Sequence, residues 1–162
     1  MGELRISDVG YDHPDAARLI AQVQAEYVVR YGGPDSSPVD FDEFRAPAGL
    51  FCVGYLDDVP VAMGGWRRHA ADDPQTGWAD PAAEIKRMYV VAEYRGYGFA
   101  RAMLAELERT AQVAGLRWLL LETGTRQPEA IALYYSSGYE TVPAFGHYAD
   151  ARLSVHLGKR IG

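Results

Sequence analysis

The chain has 162 residues, 48% of them hydrophobic, and a formal net charge of −6, which suits one domain over residues 1–162, large enough to bury a core and line a pocket. Residues 1–81 hold 6 Lys and Arg against 14 Asp and Glu, and residues 82–162 hold 10 against 8; this excludes the basic clusters that nucleic-acid binding needs. No apolar run approaches the ~18 residues that span a bilayer, and Met1-Gly2-Glu3-Leu4 carries no signal region, so a cytoplasmic protein without a membrane partner is expected. Residues 4–9 alternate loosely as a short first strand. Ala16, Leu19, Ile20, Val23 and Tyr27 then recur at helical spacing, with Pro14 near the start, Tyr31 extending the same face and Gly32-Gly33-Pro34 as the stop. Residues 32–47 form a loop rich in Gly, Pro, Asp and Ser, long enough to be a binding loop or a lid that orders around substrate.

Residues 50–56 and 59–68 flank Asp57-Asp58 as a β-hairpin. Cys52, the single cysteine, lies in the first of these strands and reads as a small core residue in a reducing compartment. A polar stretch, residues 69–81, leads to a strand over 84–91. Its apolar residues Ile85, Met88 and Val90 are spaced three and then two apart. That slip fits either a β-bulge between Ile85 and Met88 or a strand buried on both faces.

Beyond residue 98, Phe99, Met103, Leu104, Leu107 and Ala111 form the apolar stripe of a second helix, ended by Gly115. Residues 118–122 form a short buried strand and 129–137 a helix closed by Gly138. Residues 139–142 are a further strand, and alternation at Ala151, Leu153, Val155 and Leu157 predicts a last one. This order implies a mixed α/β sheet with helices packed on it.

Between the strand at 84–91 and the second helix stands Arg95-Gly96-Tyr97-Gly98-Phe99-Ala100. A glycine-rich turn at a helix N-terminus points backbone N–H groups at an anion such as a pyrophosphate; glycines in such a turn also serve simply to supply positive φ. The turn lacks the Gly-Lys-Ser/Thr ending of a nucleoside-triphosphate loop, and Arg101 breaks the dinucleotide fingerprint.

Taken with Glu84-Ile85-Lys86-Arg87-Met88-Tyr89-Val90 before it, and with Ala130-Ile131-Ala132-Leu133-Tyr134 and Gly138-Tyr139 after it, this turn resembles the signature of the GNAT superfamily of acyl-CoA-dependent N-acetyltransferases. Arg95, Gly98 and Ala100 meet the family's Gln/Arg-x-x-Gly-x-Gly/Ala loop pattern. The family often carries Asn three residues before the helix alanine, where this chain has Gln127.

The resemblance implies a mostly antiparallel sheet of six to seven strands flanked by about four helices, with a V-shaped cleft between two central parallel strands. It implies acetyl-CoA as donor and coenzyme A as product. The pantetheine arm would dock on Met88, Tyr89 and Val90 as a surrogate strand, and the pyrophosphate on the amides of Gly96, Tyr97, Gly98, Phe99, Ala100 and Arg101, with Arg95, Gln127 and Ala130 in the same site. The Val90 N–H would polarise the thioester carbonyl.

Tyr134 matches the helix tyrosine that protonates the coenzyme A sulfur, with Tyr135 as the neighbouring alternative. Glu84 would collect the amine proton, directly or through water, or else be a solvated strand-end carboxylate. Glu26, Tyr27, Tyr31 and Trp66 would border an acceptor bearing a primary amine, a small molecule or a peptide, where an aromatic lining can hold an ammonium. His13, His69, His147 and His156 show no metal spacing or nucleophile pairing, so no metal is expected. The implied activity is acetyl transfer by a monomer or homodimer; a module that binds acyl-CoA without turnover is the alternative.

Overall fold

The computed structural model describes residues 2–162, so Met1, included in the amino-terminal reading above, lies outside the described residues. Seven strands, β1 (Arg5–Asp8), β2 (Gly49–Leu56), β3 (Val59–His69), β4 (Ala82–Val90), β5 (Trp118–Gly124), β6 (Glu140–Thr141) and β7 (Ser154–Arg160), form one sheet in the order β1-β2-β3-β4-β5-β7-β6. Neighbours are antiparallel except for β4 and β5. Three α-helices rather than four occur among the described residues: α1 (Pro14–Tyr31), α2 (Phe99–Val113) and α3 (Pro128–Ser136), with 3-10 turns at Phe41–Phe44 and Ala92–Tyr94. None of these helices is long and apolar enough to cross a membrane.

Local chemistry sets the element ends. The His13 Nδ1 accepts the Asp15 N–H at 3.0 Å at the start of α1, and Gly32, with φ 80°, closes the helix through its N–H to the Val28 carbonyl at 2.9 Å. The β2–β3 hairpin turns on Asp57 and Asp58, both left-handed with φ of 48° and 66°, as a two-residue turn matching strand twist requires. Ala16, Leu19 and Val23 of α1 bury against Phe44, Phe51 and Met63 on one face of the sheet. Met103, Leu104, Leu107 and Ala111 of α2 bury against Val61, Ile85 and Leu119 on the other. Each large side chain so buried contributes roughly 1.5–3 kcal/mol. Cys52 is buried in the second of these cores.

The slip along β4 is a bulge. Met63 pairs with Tyr89 and Gly65 with Lys86, so Gly64 alone faces both Arg87 and Met88. Arg87 is the inserted residue, with φ 61°. Ile85 and Met88 consequently both face α2, while Tyr89 turns to the α1 side.

The last strand and the loop after α1 depart from expectation in ways that bear on the site. The last strand begins at Ser154 and runs to Arg160, because its pairing with β5 extends to Arg160 opposite Trp118; Ala151 and Leu153 precede it and line a cavity instead. The loop over 32–47 is fastened rather than open. It carries the capped turn Phe41–Phe44, with Phe44 in the α1-side core, and its Asp35 is tied to the sheet as described below.

Candidate active site

β4 and β5 pair only through Ala82–Trp118, Ala83–Leu119 and Glu84–Leu120. Beyond these residues β4 continues to Val90 and β5 to Gly124, so two strand edges face each other across a gap. The Val91 N–H donates to the Val61 carbonyl at 2.9 Å, so antiparallel alternation turns the N–H and C=O of Val90 away from β3 and into that gap. Arg95 Nε donates to this Val90 carbonyl at 2.9 Å. A cavity of about 330 Å³ fills the opening, lined among others by Met88, Leu121, Glu122, Ala130 and Tyr134. Among the described residues the Tyr134 hydroxyl has no hydrogen-bond partner; its ring lies edge-on to Tyr139 at 5.6 Å. Burial first, and then the Glu122 carboxylate, hold the Tyr134 phenol well above its ordinary pKa, so it stays protonated.

The open edge of β4 leads to the glycine turn. Gly98, with φ 83°, is the N-cap of α2 and offers no side-chain cap. Among the described residues none of the six backbone N–H groups from Gly96 to Arg101 has an acceptor; the first to bond is Ala102, to the Gly98 carbonyl at 3.0 Å. A row of unspent amides at the positive end of a 15-residue helix is an anion seat.

On the α1 side of the sheet a second cavity of about 650 Å³ shares Ile85, Lys86, Glu122 and Tyr148 with the first. Its floor is a buried charge network. Glu84 Oε1 accepts from Arg67 Nε and from His69 Nε2, each at 2.9 Å; Arg67 also meets Glu43 at 3.2 Å, and His69 Nδ1 lies 3.4 Å from Asp73. Burial alone would raise the Glu84 pKa, but the His69 hydrogen bond and the Arg67 and Lys86 charges bring it down to about 2. Burial would lower that of His69, yet Glu84 and Asp73 together raise it. A histidine between two carboxylates satisfies both only when both ring nitrogens carry protons.

This network carries two predictions. Glu84→Gln leaves Arg67 and His69 facing a neutral amide and should cost about 3–5 kcal/mol in denaturant unfolding at neutral pH. The raised His69 pKa contributes stability that is complete below its ordinary value and lost as pH rises through the folded value. Stability of the wild-type chain therefore falls over that step as pH rises, and a His69→Gln chain, followed by the same unfolding titration, should lack it.

Asp35 lines the first cavity and is held by residues that line the second. Its carboxylate accepts from Lys86 Nζ at 3.4 Å, Arg87 at 2.9 Å, the Tyr148 hydroxyl at 2.6 Å and the Ser37 N–H at 2.9 Å. These partners, Lys86 foremost, overcome burial and set its pKa at about 2. At the far end of the cleft the Tyr31 hydroxyl occupies the space a Cβ would take at Gly124, and accepts from Gln127 Nε2 at 3.2 Å.

A family model described as the acetyltransferase (GNAT) family matches residues 18–139. The chain belongs to this family. An IAA acetyltransferase of Azospirillum brasilense is 42% identical over 129 residues, covering 80% of this chain and 79% of the relative. The uncharacterized N-acetyltransferase YjgM of Escherichia coli is 30% identical, covering 81% and 78%. Among solved structures, a Klebsiella pneumoniae protein assigned as an acyl-CoA N-acyltransferase superposes with a TM-score of 0.80 at 26% identity over 98% of both chains. A Thermoplasma acidophilum PaiA N-acetyltransferase in complex with coenzyme A shares the fold, with a TM-score of 0.71 at 13% identity, covering 98% and 99%.

Within this GNAT chain the sequence-predicted residues separate by face. Met88, Gln127, Ala130, Tyr134, Tyr27 and Tyr31 line the cleft cavity, and Glu84 lines the second one. Tyr89 sends its ring to the α1 side, beneath Arg95, and can offer the cleft only backbone. The side chains of the glycine turn are committed elsewhere. Phe99 is in the core, Tyr97 is exposed, Arg95 pairs with Glu26 at 2.8 Å, and Arg101 bridges to Ser136 and Ser137 at 3.0 Å.

Two of the residues expected on the acceptor side line neither cavity. Trp66 faces α2, 4% exposed, with its indole N–H on Thr110 at 3.0 Å, because its neighbour Arg67 takes the cavity face. Glu26 lies outside both cavities, held by Arg30 and Arg95. Sequence reasoning missed Asp35, Arg67, Lys86, Glu122 and Tyr148. Their only sequence signal is strand alternation, which assigns faces but not which face lines a cavity.

Proposed function

We propose that this GNAT enzyme transfers an acetyl group from acetyl-CoA to a primary amine, by direct attack with donor and acceptor bound together. The observation that carries the reading is the continuity of the unpaired β4 edge with the six free amides from Gly96 to Arg101. A strand edge suits an extended, amide-rich pantetheine arm, and the amides suit its diphosphate.

When bound, acetyl-CoA supplies an acetyl group activated as a thioester. The chain's own residues do the rest. The Val90 N–H, turned into the gap, is aimed where negative charge develops on a carbonyl oxygen. Tyr134, kept protonated by its surroundings, faces the same gap and donates a proton on the sulfur side. Glu84, whose carboxylate has little tendency to take up a proton at neutral pH, orients Arg67 and His69 on the acceptor floor. Donor and acceptor would share one enclosure, since the two cavities have Ile85, Lys86, Glu122 and Tyr148 in common, and this proximity would replace an encounter in solution.

Thiol release from acetyl-CoA, measured across amines, aminoglycosides, peptides and IAA, tests the reading; IAA is included because of the 42% identical relative named for it. Acceptor-dependent release is expected from at least one amine. Acetyl-CoA binding without release on the whole panel would overturn it in favour of an acyl-CoA sensor.

A further inference from the structure

Four carboxylates line the two cavities: Asp35, Glu43, Glu84 and Glu122. Asp35 is paired with Lys86 and Arg87, Glu43 with Arg67, and Glu84 with Arg67 and His69. Glu122 alone of the four has no ion-pair partner among the described residues. It stands on β5 two residues beyond Leu120, the last to pair with β4, and it lines both cavities. A cationic amine entering the larger cavity and the donor lying in the cleft therefore meet at its side chain.

We infer that Glu122 is the group that takes the proton from the incoming ammonium, the role expected of Glu84. The inference rests on the acetyl-transfer reading above. One proton passes from the ammonium nitrogen to the Glu122 carboxylate, which becomes a carboxylic acid and later returns the proton to solvent through the larger cavity. The nitrogen lone pair so released forms the N–C bond as the C–S bond breaks. The second proton leaving nitrogen balances the one that Tyr134 delivers to sulfur, so one proton is released to solvent per amide formed.

The surroundings suit the task. His156 lies directly opposite Glu122 on β7, and the titratable and charged groups that share its two cavities are Glu84, Lys86 and Arg87 from β4, Arg67 and His69 from β3, Tyr134 from α3, Tyr27 and Tyr31 from α1, Asp35 and Glu43 from the 32–47 loop, and Tyr148 and His147 from the loop before β7. Burial is the foremost influence and, helped by Asp35 and Glu84 and opposed by Ser154 and Lys86, raises the Glu122 pKa above the ordinary glutamate value. A base moves toward usefulness when its pKa rises toward operating pH, whereas Glu84 has moved the other way. His156, kept neutral chiefly by burial, leaves its Nε2 without a hydrogen-bond partner and adds no cation to Glu122.

The test combines kinetics with a readout independent of turnover. In wild type, kcat/KM for a productive amine should fall on the acid side, and Glu122→Gln should lower it by about 10²-fold or more, remove that acid limb and leave acetyl-CoA affinity unchanged. Glu122→Asp should restore the limb at reduced rate. In ¹³C carboxyl NMR without donor or acceptor, the resonance lost in Glu122→Gln should titrate above the other glutamates. A Glu122→Gln enzyme with wild-type rate and acid limb, or a Glu122 resonance with ordinary titration, would overturn the inference and leave the acetyl-transfer reading standing. Absence of thiol release by wild type with every acceptor would instead overturn that reading, and this inference with it.

Discussion

Tyr134→Phe is expected to lower turnover by about 10²-fold or more while coenzyme A binds almost as before. The variant removes one oxygen and nothing else of consequence. The ring is 6% exposed and keeps its edge-on packing against Tyr139, and among the described residues the hydroxyl has no protein partner to strand. What disappears is a proton donor facing the cleft. Tyr135 supplies the control: it is 47% exposed and commits its hydroxyl to Thr141 at 2.7 Å, so Tyr135→Phe should leave the rate unchanged. Steady-state thiol release and calorimetric titration with coenzyme A separate the two quantities. An unaffected rate in Tyr134→Phe removes that residue from the chemistry.

Gly98→Asp should severely weaken binding of acetyl-CoA without unfolding the chain. Gly98 sits at φ 83°, and no atom lies within 4 Å of where its Cβ would be. Asp tolerates this left-handed conformation better than most residues, and a carboxylate near a helix N-terminus is compatible with the helix. The loss therefore comes from charge. A carboxylate ~4 Å from one diphosphate charge, at an effective dielectric of about 20, costs about 4 kcal/mol, and even after screening by salt affinity should drop by about 10²-fold or more. Gly98→Asn has the same shape and left-handed tolerance without the charge, so the difference between the two variants isolates electrostatics from geometry. If calorimetry shows that the Asp variant still binds acetyl-CoA with wild-type affinity, the diphosphate is held somewhere else.

The fold was legible where a local signal had one physical meaning. Gly32 could end a helix because it takes positive φ, and Asp57-Asp58 could turn a hairpin between two alternating runs. The irregular spacing of Ile85, Met88 and Val90 marked an irregularity but left a bulge and a doubly buried strand both open; the register decides for the bulge, which keeps these residues on one face. The row of free amides at the glycine turn was legible for the same reason, because it needs only glycines and a helix start.

The acceptor side was not. Trp66 and Arg67 are adjacent in sequence but lie on opposite faces, and only tertiary packing determines that the arginine meets the cavity. Glu122 ends what reads as a buried strand, with nothing in the sequence to place it beyond the last β4–β5 pair. The fastening of Asp35 by Tyr148 joins residues 113 apart, a separation that no local pattern encodes.

Lys86 and Arg87 are consecutive, yet both reach the Asp35 carboxylate, which a regularly pleated strand would forbid. Arg87 is thus a supernumerary residue: a chain without it would still read apolar and polar in strict turn from Ile85 through Met88 to Val90, and both cores could persist. Such a shortened chain would lose the left-handed insertion in β4 and half of the cationic latch on the 32–47 loop. Losing the Arg87 contacts to Asp35 and Tyr11 would therefore loosen the 32–47 loop where it borders the cleft, and at a cost in stability.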